Sequence, residues 1–141
     1  MATTRKADAH WEGSLLEGKG QVTFGSSNLG THEVTWASRA EDPDGRTSPE
    51  ELIAGAHSTC YSMSLSLGLA RNDTPPDSID THAEVDFQPG QGITGIRLTV
   101  RASVPGVTAE QFAGFAEEAK NNCPVSKALT GTTITLDAAL T

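Results

Sequence analysis

The chain is poor in aromatic residues, has only two cysteines, and contains no long apolar run. Two Trp, one Tyr and four Phe amount to 5% of its 141 residues, so any core must be built largely from aliphatic side chains. No stretch approaches the ~20 consecutive apolar residues that span a bilayer. The opening MATTRKADAHWEG has two positive charges but no apolar segment behind them, so it does not read as a secretory signal. Basic residues are also scarce: 10 Lys and Arg against 18 Asp and Glu give a formal net charge of −8, without the clustered positive footprint of a nucleic-acid-binding domain. The cysteines, at positions 60 and 123, are too far apart for a CxxC redox motif. They make no zinc-finger spacing with His10, His32, His57 or His82 either. GKG is not a P-loop, and DPDG lacks the remaining ligands of an EF-hand. Two remote thiols in a chain with no export signal suit the cytoplasm. Catalytic, redox-active or simply buried cysteines are then expected in place of a permanent bridge.

The length suits one domain able to bury a core without metal or disulfide staples. Residues 8–38 read as short strands with Gly turns, and alternation is visible in Gln21-Val22-Thr23-Phe24 and Glu33-Val34-Thr35-Trp36. A polar loop, AEDPDGRTS, follows. Next comes SPEELIAGAHSTCYSMSLSLGLA, residues 48–70. Ser48 is a good N-cap, Pro49 fits the first helical position, and Glu51 completes an S-x-x-E capping box. Leu52, Ile53, Ala56, Cys60, Met63 and Leu67 recur at helical spacing and place Cys60 on an inward face. IDTHAEVDFQ and GITGIRLTVRASV, joined by PGQG, read as a long hairpin. VTAEQFAGFAEEAKNN is a second helix capped by Thr108 and Gln111, and TTITLDAAL a last strand. The order of three strands, helix, two strands, helix and strand is that of a single α+β domain over residues 1–141.

Cys123 lies in NNCPVSKAL. The residue before a proline is pushed out of helical geometry, so the second helix should stop there and Pro124 should open a short new one. That leaves the thiol at a helix N-terminus, where unpaired N–H groups lower its pKa, with Lys127 near the same field. A small residue at a helix junction explains Cys123 equally well on these grounds alone. Cys60 alone reads more readily as buried packing. His57, one turn before Cys60, makes a Cys-His nucleophile for acyl transfer geometrically possible.

The strings SPEELIAGAHSTCYSMSLSL and CPVSKAL closely resemble the OsmC/Ohr family of osmotically inducible and organic hydroperoxide resistance proteins. AHWEG, SIDTHAEVDF and ITLDAAL extend the resemblance over nearly the whole chain and favour the OsmC branch. The resemblance implies antiparallel sheets around a central helix carrying the first cysteine, in an intertwined α+β homodimer. It implies a stress-response, thiol-dependent peroxidase that reduces organic hydroperoxides without a cofactor or metal. A thiol or dithiol reductant, of which a dihydrolipoyl group is one form, would reset it. By motif, Cys60 corresponds to the peroxidatic cysteine and Cys123 to the resolving one. Glu50 matches a glutamate that holds an arginine upstream of the helix. Arg39 in WASRAED matches that arginine, with Arg46 in a slightly longer loop as the alternative.

The physics accommodates these roles. The thiolate is the nucleophile, and burial on an apolar helix face disfavours it, so a cation is needed. A guanidinium stays charged and can face a thiolate on one side and a carboxylate on the other. Glu50, ten residues before Cys60, is about 15 Å away along a helix and cannot be its base. Leu52, Ile53 and Met63, with Phe24, Trp36 and Tyr61 as further candidates, would favour greasy peroxides. A redox-sensing or stress-induced binding dimer with slow turnover is the alternative, and steady-state rates against stoichiometric oxidation separate the two.

Overall fold

The computed structural model describes all residues, 1–141. Packing divides the chain into two compact units, Met1–Leu52 and Ile53–Thr141, taken separately below.

The first unit contains strands β1 (Ala7–Glu12), β2 (Lys19–Phe24) and β3 (Thr31–Val34), which form an antiparallel sheet in that order. The third strand stops two residues before Trp36, earlier than the alternation suggests. The cause is Thr35, which leaves the sheet with extended angles and caps a short helix, α1 (Trp36–Ala40). Its hydroxyl accepts from the Ser38 N–H while the Ser38 hydroxyl accepts from the Thr35 N–H, a full capping box. The polar loop then folds back: the Ser38 hydroxyl donates to the Thr47 carbonyl, and Thr47 bridges Val34. Ser48 Oγ accepts from the Glu51 N–H as expected at the start of helix α2 (Pro49–Arg71), but the Glu51 carboxylate bonds the Thr47 hydroxyl and not the cap. The two buried residues of this unit, Ser38 and Glu50, are both polar, and every residue of β1 is exposed.

The second unit holds the rest of α2, strands β4 (Ser78–Gln88) and β5 (Gly92–Ser103), helices α3 (Ala109–Asn122) and α4 (Pro124–Ala128), and strand β6 (Ile134–Leu140). The β4–β5 hairpin turns where expected, with Gly90 and Gly92 at φ +84° and +92°, a region that favours glycine. Thr108 and Gln111 cap α3 reciprocally, and α4 begins at Pro124, both as the sequence indicates. One feature differs from an all-antiparallel arrangement. Strand β6 pairs with β5 in parallel, from Ile96↔Ile134 to Ala102↔Leu140, because α3 and α4 supply the long crossover that a parallel pair requires.

Along β5, Ile96, Leu98, Val100 and Ala102 point inward at every second position. They meet Phe112, Ala116 and Ala119 of α3 and Tyr61, Leu65 and Leu69 of α2 in one core. The inward stripe of α2 is therefore His57, Tyr61, Leu65 and Leu69, rotated from the one the sequence suggests. Met63 and Leu67 are 68% and 51% exposed, and Cys60 lies at the margin, half-buried. Leu and Met occur on more than one side of α2, so spacing alone offered two apolar stripes. The β5 face selected the one bearing Tyr61, whose hydroxyl donates to the Ala116 carbonyl at 2.9 Å.

Candidate active site

Two free cysteines meet where α2 faces the start of α4. Pro124 ends α3 at Cys123 and begins α4, so the Cys123 sulfur sits at the turn between two helices, completely buried. Cys60 approaches it from α2 and packs against the cluster that contains it, close enough for each thiol to perturb the ionisation of the other. Positions far apart in sequence are thus neighbours in the reduced protein.

The two sulfurs are electrostatically unequal. Burial pushes the Cys60 thiol above its ordinary pKa and the bond to Cys123 adds to this, against smaller opposite effects from the Val125 N–H and the Ser64 hydroxyl. Burial also opposes ionisation of Cys123, but there it is outweighed. Hydrogen bonds from Cys60, from the N–H and hydroxyl of Ser126 and from the Val125 N–H hold that thiol below its ordinary value.

Access runs the other way. Cys60 opens onto a cavity of about 410 Å³ along the exposed side of α2, between Met63 and Leu67 on that helix and Phe115 on α3. Ser64, Arg71, Glu118 and Asn122 supply its polar groups. Met63 thus flanks the mouth of the cavity beside Cys60. Tyr61 does not, being turned into the core, and Ile53 packs half-buried against the same core. Leu52, Phe24 and Trp36 belong to the first unit, where Phe24 lies 5.8 Å from the His32 ring.

The first unit also contains the arginine and glutamate singled out in the sequence. Arg39, at the end of α1, grips the buried Glu50 through both Nε and one terminal nitrogen, at 2.8–3.2 Å. Arg46 is engaged elsewhere, with Glu33 at 3.3 Å and Asp44 at 3.4 Å. The fork expected for Arg39 is therefore present on Glu50, and Arg46 makes no such pair with it.

His57 does not form a dyad with Cys60. Its ring is fully buried, Nε2 lies 2.7 Å from Ser126 Oγ, and Nδ1 has no hydrogen-bond partner. The i, i+3 spacing brings the residues to neighbouring turns, but the ring is directed across to α4. Ser126 is the residue that sequence reasoning missed. Its only signal was its place within the CPVSKAL string, since its partner lies 69 residues away.

An α+β scaffold that sets two free, neighbouring thiols at a helix junction, one reachable from a cavity and the other buried, defines a dithiol protein. Comparison with known proteins gives the family. A model of the OsmC-like protein family matches residues 42–137. The chain is 43% identical over 140 residues to peroxiredoxin OsmC of Escherichia coli, covering 97% of this chain and 96% of that protein. It is 30% identical over 104 residues to organic hydroperoxide resistance protein OhrA of Bacillus subtilis, covering 72% and 73% respectively. Among solved structures, an organic hydroperoxide resistance protein OsmC from Legionella pneumophila superposes with a TM-score of 0.75 at 21% identity, covering 99% of this chain and 98% of the other. OhrB of Bacillus subtilis gives 0.73 at 21% identity, covering 96% and 98%. The chain belongs to the OsmC-like family.

Proposed function

We propose that Cys60 is the peroxidatic and Cys123 the resolving cysteine of a thiol-dependent peroxidase that reduces organic hydroperoxides to alcohols. The observation that carries this reading is the division of labour between two neighbouring thiols: one lines the cavity, and the other is buried beside it. The Cys60 thiolate attacks the peroxide oxygen, the O–O bond breaks, and the alkoxide takes up a proton and leaves as the alcohol. The resulting Cys60 sulfenic acid condenses with the Cys123 thiol to a disulfide and water. A thiol or dithiol reductant, such as a lipoyl group, then restores both thiols. The apolar flank of Met63, Leu67 and Phe115 supports an alkyl peroxide over hydrogen peroxide. Arg39, steadied by Glu50, is assigned to hold the Cys60 thiolate. This role rests on the family motif and on the observed Arg39–Glu50 grip. The cytoplasm is the compartment in which two unbridged thiols of this kind are expected.

Mass spectrometry under non-reducing conditions tests the scheme. One equivalent of cumene hydroperoxide should convert the reduced chain into one bearing an intrachain Cys60–Cys123 disulfide. In Cys123→Ser, the same dose should stop at the Cys60 sulfenic acid, and excess should drive it to the sulfinic and sulfonic acids. Sulfonic acid without disulfide in the native chain would remove Cys123 from the mechanism.

The active form is proposed to be a homodimer of single OsmC-like domains spanning residues 1–141. Exposed apolar surface supports this. The first unit buries no apolar residue, Trp11, Leu15, Leu16 and Leu29 are exposed on it, and Met63 and Leu67 are exposed beside Cys60. Small sheets without an apolar cover are marginal in water. Light scattering should give twice the 14.7 kDa chain mass, and a monomer at micromolar concentration would exclude the arrangement.

A further inference from the structure

We propose that the buried hydrogen bond between His57 and Ser126 is a strut that sets α4 against α2 and so fixes Cys123 beside Cys60 for the resolution step. The inference deepens the reading above and rests on it for the resolving role of Cys123.

Each end of the bond lies three residues from a cysteine. On α2, His57 precedes Cys60 by three positions, and on the turn that opens α4, Ser126 follows Cys123 by three. His57 meets Ser126 while Cys60 neighbours Cys123, so the two links run in antiparallel sense between the same two turns. Three residues amount to about 4.5 Å of helix rise, so the bond sits immediately beside the thiol pair. Nε2 of His57 lies 2.7 Å from Ser126 Oγ, and both residues are buried. Nδ1 has no hydrogen-bond partner, which leaves the serine as the ring's one anchor. Burial also pulls the His57 pKa down, so the link is an uncharged bond near neutrality.

The other contacts of α4 do not set its register on α2. Cys123 is a hinge: its N–H donates to the Ala119 carbonyl of α3, and its carbonyl accepts from the Lys127 N–H of α4. Its own backbone is outside helical geometry, at φ −55° and ψ 123°. Those bonds tie Cys123 to α3 and α4, and neither reaches α2. Val125 and Leu129 pack against the core, but apolar contacts are non-directional and tolerate sliding. Ser126 also lines a cavity of about 220 Å³, with Lys120, Lys127, Thr130 and Thr132, that Cys60 does not line. The first turn of α4 therefore has space to shift into once the bond is cut.

In the resolution step Cys123 loses its proton and its sulfur attacks the Cys60 sulfenic sulfur. The S–S bond forms, the S–O bond breaks, and the departing hydroxide takes up a proton and leaves as water. Such a step is sensitive to alignment, and a misplacement of about 1 Å can cost a hundredfold in rate. His57 and Ser126 are positioning residues here, since neither lines the cavity onto which Cys60 opens.

The test uses full-length protein. Rapid quench after one equivalent of cumene hydroperoxide separates loss of the Cys60 thiol from closure of the disulfide. Ser126→Ala should leave the first rate native and slow closure by about ten- to a hundredfold, between the worth of one hydrogen bond and that of an ångström of misplacement. Its unresolved sulfenic acid should then pass to sulfinic acid at a peroxide excess that the native chain withstands. His57→Leu cuts the same bond from the other helix and should act alike. The double variant should close no more slowly than the slower single one, because both changes remove one link. Ser126→Thr keeps the hydroxyl, and the amide of His57→Gln can donate or accept, so each should restore closure toward native. Native closure in Ser126→Ala with native circular dichroism, or slowing that adds in full in the double variant, would overturn the strut and leave the resolving role intact. Equal slowing of both steps would mark a general loosening and overturn it as well. Should Ser126→Ala fail to fold, His57→Leu against His57→Gln decides on the same terms. A native chain that closes no Cys60–Cys123 disulfide would overturn the resolving role instead.

Discussion

Cys60→Ser should reduce the turnover of cumene hydroperoxide, with a dithiol as electron donor, to the buffer background. The loss should be complete because no other group can take over. The second thiol is fully buried, so Cys60 is the only thiol that a peroxide held between Met63, Leu67 and Phe115 meets. A serine hydroxyl at the same position has neither the accessible anion nor the polarisable sulfur that accepts an oxygen atom. The replacement is nearly isosteric at a half-buried position, so the variant should remain folded, and loss of structure will not explain loss of rate. Turnover above one tenth of native would sink the assignment of Cys60.

The second large effect concerns the arginine. Arg39→Lys keeps a positive charge but cannot reproduce the grip on Glu50, which uses Nε and a terminal nitrogen together. Burial pushes the Cys60 thiol up and the bond to Cys123 adds to it. An opposing cation stabilises the charged form and lowers the pKa. Without a correctly placed guanidinium, the thiolate should form only at higher pH. The rate of Cys60 oxidation should then fall by about ten- to a hundredfold near neutrality, the loss expected for a hydrogen bond to a charged group. It should recover as pH rises through the displaced titration. Glu50→Gln should move the profile the same way by a smaller amount, since the guanidinium remains but is less firmly held. Stopped-flow oxidation by one equivalent of peroxide across a pH series gives the profile. An unshifted profile in Arg39→Lys would remove Arg39 from the thiolate's support.

Both arguments use residues that the sequence singles out, and the reason lies in local chemistry. Capping residues, a proline after Cys123 and turn glycines act within a few positions of themselves. The limits of α3, α4 and the β4–β5 hairpin follow from them directly. What depends on distant partners was less legible. Alternation through Trp36 extended the third strand too far, because the capping box of Thr35 and Ser38 competes with the sheet for the same backbone. The inward stripe of α2 was misplaced because Met63 and Leu67 satisfy helical spacing as well as Leu65 and Leu69 do. Only the β5 face decides between them. The direction of β6 depends on the crossover made by α3 and α4. The His57–Ser126 bond has no local signature: spacing suggested that His57 serves Cys60, whereas its ring serves the helix of the other cysteine.

The closeness of the reduced thiols has a consequence for dose. A cysteine whose partner must first be freed from a folded helix stays exposed to a second peroxide while the protein rearranges, and its damage grows with oxidant concentration. Here the partner is already a neighbour before the first peroxide arrives. Closure is then an encounter within one molecule, and groups aligned in that setting can reach effective concentrations of about 10⁵ M. Over-oxidation should therefore stay rare until the peroxide concentration rivals the effective concentration of the neighbouring thiol, which suits a protein that must work during a burst of oxidant.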